Sequence, residues 1–282
     1  MAQPPTRNLP MRFLIHYEPF IRLACFALVL LAMMLWERRW PRRSLSLMRQ
    51  ARWPANLGIV IVDSVVVRLV FPVLAVGAAE VAAVRGWGLF AWLDAPFGLA
   101  LVLSLLALDL AIYTQHVLFH KLPLLWRLHW MHHTDLDFDV TTALRFHPLE
   151  IMLSMLIKLA LVVLLGASAV AVLLFEIILN ATAMFNHSNV GLPPRLDRLL
   201  RWIVVTPDMH RVHHSIRREE TDSNFGFNLP WWDRLFGTYQ EQPRDGHSGM
   251  TIGLEIFRDW RATTLSGLLL QPFIKEHSAH SA

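Results

Sequence analysis

Between Leu149 and Phe185 the chain carries only three charged residues, Glu150, Lys158 and Glu176, in an otherwise apolar run. A bilayer offers no water to an unpaired backbone N–H or C=O, so a run of this kind folds as helices. It is too long for one crossing, which takes about 20 residues. Gly166-Ala167-Ser168 interrupts it near the middle, which predicts a hairpin of two helices over 149–165 and 169–186. Three further stretches, 19–36, 57–80 and 98–119, are long and apolar enough to span. The first is followed by "ERRWPRRS" rather than a small-residue cleavage site, so it reads as a retained anchor and not a signal peptide. The predicted fold is all-α: an integral membrane helical bundle of four to five spans with a helical cap. Hydrophobic residues at 54% and charged residues at 17% agree, since soluble domains carry roughly 25% charge.

The net charge is +4, and most arginines sit in short clusters beside apolar runs. No basic stripe interleaved with aromatics is present, so the charge speaks for membrane topology and against nucleic acid. Residues 37–56 carry Arg38, Arg39, Arg42, Arg43, Arg49 and Arg52, whereas 81–97 carry Arg85 alone. The positive-inside rule puts the first segment in the cytoplasm of what reads as a bacterial-type inner membrane. Counting spans onward puts residues 120–148 and 187–282 on that same side, with Lys121, Arg127, Arg195, Arg198 and Arg201. A single cysteine, Cys25, excludes an internal disulfide and a cysteine-held iron–sulfur cluster.

Ten of the fourteen histidines lie between residues 116 and 214. His116 and His120 are spaced i, i+4 at the end of the third span, so both rings share a helix face. "LHWMHHTD" supplies His129, His132 and His133, and "DMHRVHHS" repeats that spacing with His210, His213 and His214. Thr206, Pro207 and Asp208 before the second triplet are helix-start signals. A lone histidine at a membrane boundary is ordinarily a hydrogen-bonding residue, and His16, His247, His277 and His280 read that way. Three same-face clusters on one side of the bilayer do not, because imidazoles are costly to desolvate without partners. They point to metal, for which imidazole is the commonest ligand. Eight nitrogens exceed what one ion takes, so two ions are expected. A membrane zinc hydrolase is the enzyme alternative, although the H-E-x-x-H glutamate is missing. A metal transporter or a histidine-ligated haem carrier is the non-enzymatic one. Transporters place ligands at mid-membrane, and haem needs about two axial histidines.

The order H-x-x-x-H, H-x-x-H-H, H-x-x-H-H resembles the fatty acid hydroxylase and sterol desaturase superfamily of integral-membrane di-iron oxidases. "RFHPLE", "FNHSN", "TPDMHRVHH" and "NFGFNLPWWDRLFGTY" extend the likeness over roughly residues 98 to 240. The resemblance implies two iron ions held by histidines, with dioxygen as co-substrate and a lipid C–H bond hydroxylated or desaturated. The lipid is a sterol, fatty acyl chain, carotenoid or ether lipid. The ligands it implies are His116, His120, His129, His132, His133, His210, His213 and His214, with His187 of "FNHSN" as a ninth. His147 is either a further ligand or part of a substrate entrance.

Asp109 stands seven residues before His116, and Asn180 seven before His187, nearly two helical turns in each case. Both are expected to orient those imidazoles, with inter-helix hydrogen bonding as the alternative. Asp208 serves either that role or a helix cap. Asp63 and Arg68 are expected to pair with each other or with Asp109. Trp231, Trp232 and Tyr239 are expected at the membrane interface, and Phe236 in the packing of the cap. The organisation expected is membrane anchor helices over 1–97, a histidine-box catalytic region over 98–240 and a C-terminal tail over 241–282. The chain contains no nucleotide-binding fingerprint and no obvious haem domain, so electrons must come from a separate reductase with a ferredoxin or small haem protein.

Overall fold

The computed structural model describes residues 9–275. Helices build it, and among the described residues the only β pairing is two isolated bridges. A short α1 (Leu9–His16) leads into α2 (Glu18–Arg39), and α3 (Arg49–Val70) and α4 (Ala75–Arg85) follow. A turn of helix α5 (Leu89–Trp92) precedes the long α6 (Phe97–Lys121), and α7 (Pro123–His133) adjoins it directly. The hairpin is α8 (Pro148–Leu165) and α9 (Ala169–Asn186). Four short helices shape the cap: α10 (Pro194–Leu200), α11 (Pro207–His213), α12 (Arg218–Thr221) and α13 (Trp231–Phe236). Five helical segments are long and apolar enough to cross a membrane: α2, the stretch from α3 to α5, α6, α8 and α9. At about 1.5 Å per residue, the 18 residues of α8 reach about 27 Å, close to the hydrocarbon thickness.

The predicted second span, 57–80, is displaced. α3 starts at Arg49 and stops at Val70, and α4 begins only at Ala75. Pro72 is the cause, because the residue before a proline avoids helical backbone and Phe71 is accordingly extended. The predicted hairpin break forms as expected. Gly166 ends α8 in the left-handed conformation at φ +69°, and the Ser168 hydroxyl caps α9 by accepting from Ala171 N.

α9 is the central helix, packed by α2, α4 and α6 and touching α11 below. Ala75, Ala79 and Ala82 give α4 a small-residue face that lies close against α8 and α9. The turn from α6 into α7 is a single extended residue, Leu122, forced by Pro123. It folds α7 back so that its histidines meet those of α6. Residues 241–275 run back over the cap, where Ser215 bridges to Ile252 and Thr134 bonds Gln271.

The end of the bundle remote from the histidines is closed by backbone contact between Gly88 and Gly166. A Cβ on Gly88 would lie 2.1 Å from the Gly166 nitrogen, and Gly88 sits at φ +100°. Gly88→Ala is expected to cost about 2–3 kcal/mol and lower the melting temperature in detergent by roughly 5–10 °C. Gly98→Ala, whose added Cβ meets nothing within 4 Å, should leave it unchanged. Equal melting of the two variants would contradict this packing.

Candidate metal centre

All nine expected histidines meet in one buried space where the bundle joins the cap, each at most 4% exposed. They sort into two groups. His116, His120, His129, His133 and His213 form one, and His132, His187, His210 and His214 the other, with ligand atoms in each group within 4.8 Å of one another. The helical triplets do not each serve one group. On α7, His129 and His133 face the first group and His132 the second. On α11 and its cap the order inverts, with His210 and His214 in the second group and His213 in the first. The i, i+4 rings share a side and the i+3 ring is turned toward the neighbour, so α7 and α11 each bridge both groups. His133 and His214, one from each group, stack at 4.6 Å and 19°.

Hydrogen bonds on the outer nitrogens orient the rings. His116 Nδ1 meets the Phe225 carbonyl at 2.8 Å, His213 Nδ1 that of Ser223 at 2.7 Å and His187 Nδ1 that of Ala183 at 2.8 Å. A carbonyl only accepts, so those three nitrogens carry the proton and each Nε2 presents a lone pair inward. His129 Nδ1 lies 2.8 Å from Glu150 Oε1. In the five-membered group every Nε2 lacks a hydrogen-bond partner. In the second group His187 Nε2 lies 3.0 Å from His132 Nε2 and 3.1 Å from His210 Nε2. Unpartnered buried nitrogens converging in the first group, and close Nε2 contacts in the second, fit metal ions. The two short Nε2 distances in the second group match neighbouring ligands about 2.1 Å from one metal ion, which lie roughly 3.0–3.4 Å apart.

The walls of this space are built by buried charge. Arg52 of α3 grips Asp135 with two bonds, Nε–Oδ1 at 2.6 Å and Nη2–Oδ2 at 2.8 Å, and reaches Asp139 at 2.9 Å. Arg145 ties Met131 O at the end of α7 to Asn56 and Thr134. Burial alone would raise the Asp135 carboxyl, but Arg52 and Arg145 outweigh it and hold the group below the usual carboxylate range. Glu37 at the end of α2 accepts from Val140 N and Asn189 N, both at 2.7 Å.

Several expected residues lie elsewhere. Asp109 does not reach His116, since seven residues of helix separate them by about 10.5 Å. Its carboxylate instead accepts from Trp232 Nε1 at 2.8 Å and anchors the loop that carries Phe225. Asn180 does not reach His187 and bonds Glu176 O of its own helix. His147 stands outside both groups as the N-cap of α8, accepting from Leu149 N and facing Leu269 O. Asp208 binds Arg42 and Arg211. Asp63 is buried while Arg68 is exposed, and they do not pair. Phe236 stacks on Tyr113 yet remains 56% exposed. His16 is exposed, His247 lies against Asp208, and His277 and His280 fall outside the described residues. Sequence reasoning missed Glu150, which is written in "RFHPLE" on the first turn of a span, where an unpaired carboxylate is expensive. It also missed the Ser223 and Phe225 carbonyls, which carry no side-chain signal.

The stretch that carries the histidines is also the stretch that is similar to known proteins. Residues 101–238 match the model of the fatty acid hydroxylase family. That segment contains all nine histidines. The chain is 29% identical over 181 residues to the ornithine lipid hydroxylase OlsE of Rhizobium tropici, covering 64% of this chain and 52% of that one. It is 31% identical over 157 residues to the Homo sapiens alkylglycerol monooxygenase, covering 55% and 34%. With the Homo sapiens cholesterol 25-hydroxylase it shares 25% over 141 residues, covering 49% and 50%. The chain thus spans about half or less of the length of these relatives. No solved structure matches it.

Glu150→Gln keeps the shape beside His129 but removes the charge that fixes its tautomer. It is expected to weaken metal retention 10–100-fold, read by metal analysis after dialysis, with the helical content unchanged. Retention equal to wild type would show that Glu150 does not orient the ring. Burial holds the His129 and His187 imidazoles down at about 3, whereas they titrate near 6.5 in an unfolded chain. Their folded values are depressed, so the unfolded state takes up the extra protons. The stabilising difference is complete above pH 6.5 and shrinks as pH falls toward 3. The metal-stripped protein should therefore melt progressively lower as pH drops below 6.5. A flat melting temperature from pH 7 to 4 would contradict that burial.

Proposed function

We propose that this chain is a membrane-bound, dioxygen-dependent lipid hydroxylase whose two histidine groups hold a pair of iron ions. The observation that carries the reading is the sorting of nine buried imidazoles into groups of five and four beside an apolar cavity. That cavity, about 350 Å³, lies between α2, α3, α6, α8 and α9 and reaches His116 and His129. Phe119, Phe146 and Phe227 wall its inner end. A lipid chain entering from the bilayer would pass mostly apolar side chains, with Asp63, Gln115 and Ser154 among the polar exceptions, before the first histidine group. Farther from the metals, Lys158 and Glu176 pair at 2.8 Å and Arg22 joins Glu176 at 3.1 Å. Arg22 also meets Glu18 at 3.4 Å, so the four charges cancel.

Iron bound in the two groups supplies activation of dioxygen and the transfer of two electrons. The protein supplies neutral imidazoles in a fixed tautomer, a cavity that excludes water from the reacting C–H bond, and a carboxylate on His129. The balance is one dioxygen, two electrons and two protons for one hydroxyl and one water. The relatives' names are those of hydroxylases and monooxygenases of lipids, which supports hydroxylation over desaturation. Zinc hydrolysis and a haem carrier account less well for nine nitrogens in two groups. The electrons come from a separate reductase acting through a ferredoxin or small haem protein. The histidines lie at the cytoplasmic face of a bacterial-type inner membrane, a placement that rests on the arginines of 37–56, of which Arg38 and Arg39 are exposed.

Purified protein is expected to hold about two iron per chain and to place heavy oxygen in a lipid product when the label enters as dioxygen but not as water. His132→Ala and His213→Ala, one from each group, should each reduce product below about 1% of wild type, beyond the 10–100-fold lost when only a partner of a ligand is removed. Bound zinc with undiminished turnover under anaerobic conditions would replace this reading with hydrolysis.

A further inference from the structure

A second hollow, about 800 Å³, opens on the cap between the α2–α3 turn, α10 and residues 234–247, and none of the nine histidines lines it. Its polar wall is rich in arginine, with Arg42, Arg198, Arg201 and Arg234, and the neutral His247 stands beside them. Its carboxylates are largely spent on internal pairs. Asp197 lies 2.7 Å from Arg201 Nε, and Asp208 is shared by Arg42, Arg211 and His247. Glu241 is exposed at the rim. Counting Arg211 behind Asp208, five guanidiniums face three carboxylates, an excess of two positive charges.

Buried donors here lack acceptors. Arg201 is 3% exposed, yet its Nη2 has no hydrogen-bond partner. Arg234, held between the Trp202 and Tyr239 rings at 4.1 Å from each, has an unpartnered Nε. His247 is 5% exposed, its Nε2 lies 3.5 Å from Asp208 Oδ2, and its Nδ1 has no hydrogen-bond partner. Buried polar groups are normally satisfied, and several unsatisfied donors around one hollow call for an acceptor there. Guanidiniums converging from different elements suit a phosphate, whose oxygens take several charge-assisted bonds at once.

The surroundings indicate where that phosphate comes from. α10 and the residues after it expose Leu199, Trp202 and Ile203, and α13 exposes Trp231 and Leu235. An apolar, tryptophan-bearing face flanked by arginines is what lies in a bilayer interface. The hollow then stands at headgroup depth. We propose that this basin is an anionic lipid site that holds the phosphate of a phospholipid headgroup on Arg198, Arg201 and Arg234, apart from the metal centre and independent of the reaction assigned to it.

Native mass spectrometry of the full chain in detergent tests this, with phosphatidylglycerol, diacylglycerol of the same tails and inorganic phosphate as probes. Wild type is expected to retain one phosphatidylglycerol and no diacylglycerol. Arg198→Gln/Arg234→Gln should bind that lipid at least tenfold more weakly with its metal content unchanged. Arg198→Gln alone, at an exposed position, guards against misfolding of the double variant and should bind several-fold more weakly. Equal retention by wild type and both variants, or equal retention of the two lipids, overturns the proposal. Inorganic phosphate bound as tightly as the lipid, and displacing it, overturns the lipid source and leaves a free phosphate site.

Discussion

Nine imidazoles withdrawn from water into one space are the constraint that the rest of this structure serves. Each ring has two nitrogens to satisfy, and a neutral ring needs an acceptor for one and a donor or an ion for the other. The cap meets the first demand with carbonyls of Phe225 and Ser223, and α8 meets it with Glu150. The second is open to a metal ion. Desolvation keeps the buried rings neutral and so able to ligate one.

Two short helices carry that arrangement. α7 and α11 each send rings into both groups, in opposite order, so neither group can shift without the other. Their positions depend on charge buried behind them. Arg52, Asp135, Asp139 and Arg145 join α3 to the segment that follows α7, and Arg42 with Asp208 joins the α2–α3 turn to the start of α11. Breaking one partner of such a network costs about 3–5 kcal/mol. The arginines of 37–56 therefore have two roles. Arg38 and Arg39 face outward, while Arg42, Arg43 and Arg52 tie membrane helices to cap and Arg49 ties α3 to α2.

Much of this was legible in advance because it is written in local patterns. Apolar length announced the spans, Gly166 and Ser168 the hairpin, and i, i+3, i+4 spacing the histidine clusters. Proline punctuation was legible where it starts helices, at Pro148 and Pro207, and was underread at Pro72, where it breaks a span and displaces both its ends. A shared helix face misled for Asp109 and Asn180, since two turns of rise exceed the reach of their side chains.

Residue type and spacing along single helices suffice to read a helical membrane protein with eight histidines grouped for metal, while the ninth, His187, comes from family resemblance. Which histidine groups with which, that Glu150 rather than Asp109 meets a clustered imidazole, and that arginines gather around a hollow on the cap emerge only in the folded molecule. Those outcomes depend on how separate helices are rotated and stacked against one another. Rotation is set by packing and buried charge between segments far apart in the chain, and no local spacing encodes it.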